Sequence, residues 1–128
     1  MGSRTIKYLP LEIGNHPDHV YRIACYAVPR AARREFEEAM RRSADVLRTL
    51  PGFRGHLVLE KAGGETRFDL VSVAVWESEA ALANAVEAMR AHQASLGIDL
   101  AARLAEWEVA AERGNYVLPP HLQEPMES

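Results

Sequence analysis

The chain has 128 residues, 48% of them hydrophobic and 26% charged, which is the usage of a single globular domain. Fifteen Lys and Arg against eighteen Asp and Glu leave a net charge of -3, so the basic surplus of a dedicated nucleic-acid binder is missing. The longest strongly apolar stretches, Ile23 to Val28 and Leu70 to Trp76, fall far short of the roughly 20 residues of a membrane-spanning helix. One cysteine, Cys25, precludes an internal disulfide, and with no apolar leader after Met1 the expected compartment is the reducing cytoplasm. Met1-Gly2 opens like a myristoylation signal, but Ile6 stands where Ser or Thr is required.

Residues 1–18 carry Pro10, Gly14, Asn15 and Pro17 without a sustained period and read as an N-terminal arm. His19 to Val28 is rich in Val, Ile, Tyr and Ala, stops at Pro29, and predicts a first strand. From Arg30 to Leu50, Phe36, Met40, Ala44, Leu47 and Leu50 recur at three- and four-residue steps, while Glu37 precedes Arg41 and Glu38 precedes Arg42 by four. This is an amphipathic helix. Pro51-Gly52 ends it, Phe53 to Lys61 alternates as a second strand, Ala62 to Glu65 supplies a tight reversal, and Arg67 to Trp76 is the third strand. Ser78 caps a second helix with Leu82, Val86 and Met89 on one face, closed by Gly97. Asp99 caps a further short turn with Leu100 and Leu104, and Trp107, Val109 and Ala111 alternate with Glu106, Glu108 and Glu112 as a last strand. Residues 114–128, with Pro119, Pro120 and Pro125, read as a tail whose Tyr116, Val117 and Leu118 are free to dock elsewhere.

The order βαββαβ over residues 19–113 predicts an α+β, ferredoxin-like domain, a four-stranded antiparallel sheet with two helices on one face. On the third strand Phe68, Leu70, Ser72, Ala74 and Trp76 point one way and Val71, Val73 and Val75 the other, so both faces are mainly apolar. Two helices cover only one. Leaving the valines in water forfeits about 1.5 kcal/mol or more per side chain, and a second copy of the chain packed sheet to sheet is the expected cover, ahead of a docked arm or tail.

Pro51-Gly52-Phe53-Arg54-Gly55-His56, the hairpin after it, and Val73-Ala74-Val75-Trp76-Glu77-Ser78 together resemble the antibiotic-biosynthesis monooxygenase family of dimeric α/β-barrel proteins over His19 to about Ala111. The resemblance implies a homodimer, a pocket between helices and sheet, and in some members oxygenation of phenols or quinols by O₂ with no metal or flavin. In well-known phenol oxidisers of the family an Asn precedes the motif Trp by four and a Tyr follows it by six; Ser72 and Leu82 hold those positions here. Haem-degrading members place a Trp nine and a His nineteen residues after the motif Trp, where this chain has Ala85 and Ser95, so haem ligation would fall to His92.

The expected cofactor set is therefore none, and the expected partners are a second copy, a small aromatic or polyketide-like ligand, and O₂. Trp76, whose indole N–H is a donor, Ser72 and His56 are the candidate catalytic residues. His56 has two readings, a strand-face histidine pairing with Glu60 or Arg54, or a pocket base. Phe68, Leu70, Leu82, Asn84, Met89 and His92 are the expected pocket lining. A core role for Trp76 is compatible with a pocket wall, and the alternative for the whole chain is a binding module of the same fold that carries out no turnover. Cys25 reads as a small buried hydrophobe. His16-Pro17-Asp18-His19 lacks zinc-site spacing. Neither a G-x-G-x-x-G loop, a P-loop nor a G-x-S-x-G elbow occurs.

Overall fold

A computed structural model describes residues 16–124; the expected arm, apart from its last three residues, lies outside them. Strand β1 (Val20–Ala27) runs up to Pro29, and the Val28 N–H leaves the ladder to donate to Asp69 Oδ2 at 2.7 Å. A single 3₁₀ turn, Arg30–Ala32, leads into α1 (Arg33–Leu47). Its helical spacing buries Phe36 and Ala44 on the sheet side, while Arg33 bridges Glu37 one turn on and Glu60 on the neighbouring strand.

Gly52 then makes the turn into β2 (Phe53–Glu60). Its φ is +86°, and a Cβ there would stand 2.4 Å from the Ala81 Cβ. Only glycine satisfies both conditions. β3 (Leu70–Trp76) starts three residues later than the sequence pattern suggests; just before it, Lys61 N–H donates to the Asp69 carbonyl and Asp69 N–H to the Tyr26 carbonyl, both at 2.8 Å. The β2–β3 connection is consequently a nine-residue excursion, 61–69, in place of the tight reversal expected.

The second helix, α2 (Glu79–Ser95), starts as expected with the Ser78 side chain accepting from the Ala81 N–H at 3.1 Å. Gly97, with φ +69°, ends it. Asp99 caps α3 (Leu100–Glu106) in the same way. That helix absorbs Glu106, and Trp107 closes it as its C-cap. The last strand, β4 (Ala110–Val117), is therefore displaced from its expected position at Glu106–Glu112, and residues 114–117, expected as tail, are paired in the sheet. Glu108, at φ 57°, makes the change of direction between them.

The strand order is β2-β3-β1-β4, all antiparallel, as a ferredoxin-like domain requires. Register explains where the interior is full and where it is hollow. On the helix-facing side four rows cross the sheet. Glu60, Leu70, Tyr26 and Ala111 form one end row, and Phe53, Trp76, Val20 and Val117 the other. Between them lie Val58, Ser72, Ala24 and Arg113, then His56, Ala74, Arg22 and Asn115. The bulky end rows seed two hydrophobic clusters: Val20, Trp76, Leu82 and Ala85 with Ala74, and Val28, Ala32, Phe36, Leu70 and Val109. The small residues Ala24, Ser72 and Ala74 cannot fill the space under the helices in the middle.

The opposite face carries Tyr21, Ile23 and Cys25 of β1, Leu57 and Leu59 of β2 and the three valines of β3. Val75 is buried, Val71, Val73 and Cys25 are half-buried, and Leu59 is 55% exposed. Cys25 is thus on the apolar outer face and not in the core. Among the described residues no helix is long and apolar enough to cross a membrane.

Candidate functional site

A cavity of about 330 Å³ occupies the hollow middle, its floor made by Arg22, Ala24, Ser72, Ala74 and Trp76 and its roof by Leu47, Leu82, Val86 and Met89 of the two long helices. That volume lies at the lower end of small-molecule sites. A second cavity of about 130 Å³ adjoins it beneath α1 and α3, sharing Tyr26, Ser43, Leu47, Ser72, Leu100 and Arg113 with the first and adding His56. Ser72 stands in both.

Trp76 is 1% exposed and packs edge-on against Phe53, ring centroids 5.6 Å apart. Its Nε1 is buried and has no hydrogen-bond partner among the described residues. Buried donors are nearly always satisfied, and leaving one unmet costs about 1–3 kcal/mol. Trp76 thus walls the cavity while its indole N–H is buried and unpaired among the described residues.

His56 and Ser72 come together, with Nε2 and Oγ 2.9 Å apart. Adjacent strands make the pairing: His56 is level with Ala74, one row from Ser72. The partners expected for His56 are engaged elsewhere, Glu60 with Arg33 and Arg54 with Glu77. Burial, and after it the positive charge of Arg48, hold the imidazole below its ordinary value of 6.5, so His56 is neutral at pH 7 and able to accept a proton.

The remaining sequence expectations divide. Leu82 and Met89 line the main cavity. His92, exposed, lines instead a cavity of about 120 Å³ among the three helices, away from the Trp76 side. Leu70 is 4% exposed and consumed by the cluster around Phe36. Phe68 precedes β3 and is covered by the Arg67 guanidinium, 4.8 Å above its ring; Asn84 is exposed on α2. None of these three contributes to the cavity walls described above. At His16–His19 the two imidazoles stack, 4.4 Å apart, and among the described residues no group of three or more His, Cys, Asp or Glu is placed to hold a metal.

The unanticipated residues are Arg22 and Arg113. With Arg90 and Gln93 they line the main cavity, and no carboxylate does. Arg22 was the legible one: in Val20-Tyr21-Arg22-Ile23-Ala24 it shares the face of Val20 and Ala24, the side that the helices cover. Burial, and then the like charge of Arg113, lower its guanidinium from the usual value.

Residues 19–98 match the model of the antibiotic biosynthesis monooxygenase family. Among solved structures the chain is similar to SnoaB, a cofactor-independent oxygenase from Streptomyces nogalater, at 25% identity and a TM-score of 0.61, covering 84% of this chain and 99% of that one. A protein from Shewanella loihica PV-4 aligns at 20% identity and a TM-score of 0.61, over 79% of this chain and 94% of its own. MhuD, whose structure holds two manganese protoporphyrin IX molecules per active site, aligns at 22% identity and a TM-score of 0.57, over 84% of this chain and 99% of its own. No curated protein gives a significant match. With the family model spanning more than half of the sequence and the sheet, helices and strand order in agreement, the chain belongs to the antibiotic biosynthesis monooxygenase family.

Proposed function

We propose that this protein oxygenates a small polycyclic phenol or quinol with O₂ in the cavity under α1 and α2, without metal or flavin. The unpaired Trp76 N–H beside that cavity is the observation that carries the reading, and the likeness to SnoaB supports it. The substrate phenol gives its proton to the Ser72–His56 pair, and the phenolate passes one electron to O₂. The ring radical and superoxide then join at a ring carbon, and loss of water from the hydroperoxide leaves a quinone. One oxygen atom enters the ring and the other departs as water, so the substrate supplies all four electrons.

Proton transfer limits which phenols qualify. An ordinary phenol near pKa 10 facing an imidazole below 6.5 must climb about 5 kcal/mol. Trp76, donating to the developing oxyanion, lowers that cost, and a phenol acidified by a neighbouring ring carbonyl lowers it further. The substrate is accordingly a hydroxylated arene bearing a conjugated carbonyl. Ser72 and Leu82 in place of the family's Asn and Tyr mean that this site works with fewer donors. The buried, apolar Leu82 also favours the second reading, a module that holds such a ligand without turnover. The chain pairs with a second copy through the face of Ile23, Leu57, Val71 and Val73.

An oxygen electrode separates the two readings. A panel of hydroxylated anthrones and naphthalenes is expected to drive O₂ uptake above autoxidation in chelator-treated protein. Ligand binding with no uptake across the panel would leave only the binding module.

A further inference from the structure

We infer that the open end of this cavity is an anion site, so that the favoured ligand is an arene carrying a carboxylate. The inference rests on the cavity being the ligand site, as proposed above. In a chain of net charge -3, the 330 Å³ cavity is lined by three arginines and by no Asp or Glu. Arg90 is partly neutralised by Glu87 at 3.0 Å. Arg22 and Arg113 form no salt bridge among the described residues, and the charged group that bears most on Arg22 is Arg113 itself. The Arg22 hydrogen-bond acceptor is the neutral Asn115 Oδ1, at 3.2 Å. A carboxamide holds the guanidinium in place without cancelling its charge.

Two like-charged guanidiniums side by side, one of them half-buried, form a repulsive arrangement that a bound anion relieves. Geometry favours a planar acid. Arg22 and Arg113 project from the same face of adjacent strands, one row apart, and a guanidinium fork matches a carboxylate in two parallel hydrogen bonds. The other end of the cavity is apolar, with Trp76, Leu82, Ala85 and Val86. A ligand that satisfies both ends places its rings against Trp76 and its acid toward β4.

Calorimetric titration of the full chain with a hydroxynaphthoate and with the corresponding hydroxynaphthamide tests this. The acid is expected to bind at least about tenfold more tightly at low salt, the effect of one hydrogen bond to a charged partner, and added salt is expected to narrow the gap. In R22Q combined with R113Q the acid falls to the amide's affinity. Arg113 is exposed, so R113Q alone keeps the fold and loses part of the preference. Equal affinities in the parent chain, a preference that both variants retain, or failure of the acid to bind would each overturn the anion site. O₂ uptake reads the oxygenase proposal separately. Selective acid binding without uptake leaves the anion site standing and removes the enzyme, whereas equal binding with uptake does the reverse.

Discussion

Replacing Trp76 with Phe keeps a ring in the core and removes the indole N–H, and the structure sets two opposing consequences against each other. The phenyl group is roughly 40 Å³ smaller, and at about 24 cal/mol per Å³ of residual cavity this costs about 1 kcal/mol, with a comparable transfer loss for the missing atoms. Against that, the substitution removes a buried donor that has no partner, recovering about 1–3 kcal/mol. The two cancel to within about 1 kcal/mol. Tm is therefore expected to move by no more than about 5 °C, while affinity for a phenolate ligand, measured by calorimetry, falls about tenfold or more with the lost charged hydrogen bond. Turnover, if the oxygenase reading holds, falls by about a hundredfold. The reasoning is refuted if W76F unfolds more than about 3 kcal/mol below the parent chain in urea. In that case the N–H is already satisfied in the free protein and Trp76 acts as core alone.

Stability is expected to fall as pH drops below about 6.5. His56 has a lowered pKa in the fold, so the unfolded chain takes up its proton first and the contribution of neutral His56, complete above the unfolded pKa, is lost down to the folded one. Urea midpoints from pH 7.5 to pH 5 should show this slope, and H56Q should flatten it except for the part due to His19, whose pKa burial also lowers. V73D places a charge in the apolar outer face, and sedimentation at micromolar concentration is expected to show a dimeric parent and a monomeric variant; a monomeric parent would sink the dimer proposal. Gly52→Ala meets both a positive φ and the Ala81 side chain. A loss of about 2 kcal/mol or more in denaturant is expected, and a neutral result would contradict the close approach of that turn to α2.

Much of the sheet is legible in the sequence because strand periodicity leaves few choices. The alternation that sets Ser72, Ala74 and Trp76 on one face is a period of two, and it survives in the observed register. Caps are equally local, and Ser78 and Asp99 act where their side chains imply. The last strand misleads for a physical reason. Trp107 and Val109 alternate with glutamates as a strand would, yet Leu100 and Leu104 lie one helical turn apart and the helix continues until Glu108 turns it. Trp107 then anchors that end by donating from Nε1 to Glu35 Oε2 at 3.0 Å, a contact spanning 72 residues that no local pattern encodes. The site follows the same division. Trp76 and Ser72 can be placed from their own strand, but the His56–Ser72 pair needs the β2–β3 register, and the placement of Arg113 one row from Arg22 needs β4 in its observed position.

The two hydrophobic clusters have a thermodynamic corollary. Each is complete at its own end of the sheet, and the span between them is bridged by backbone hydrogen bonds over small side chains. On the proposed reading, an aromatic guest seated there packs on the Trp76 cluster, meets Tyr26 at the edge of the other, and supplies a middle layer between them. Its binding is thus partly an act of folding, and the melting curve becomes a ligand detector: at a hundred times Kd the bound state gains about 2.7 kcal/mol over the free one. A molecule found by that gain, screened across unrelated arenes and acids, would be identified by how well it completes the protein's own core, before any assumption about turnover is made.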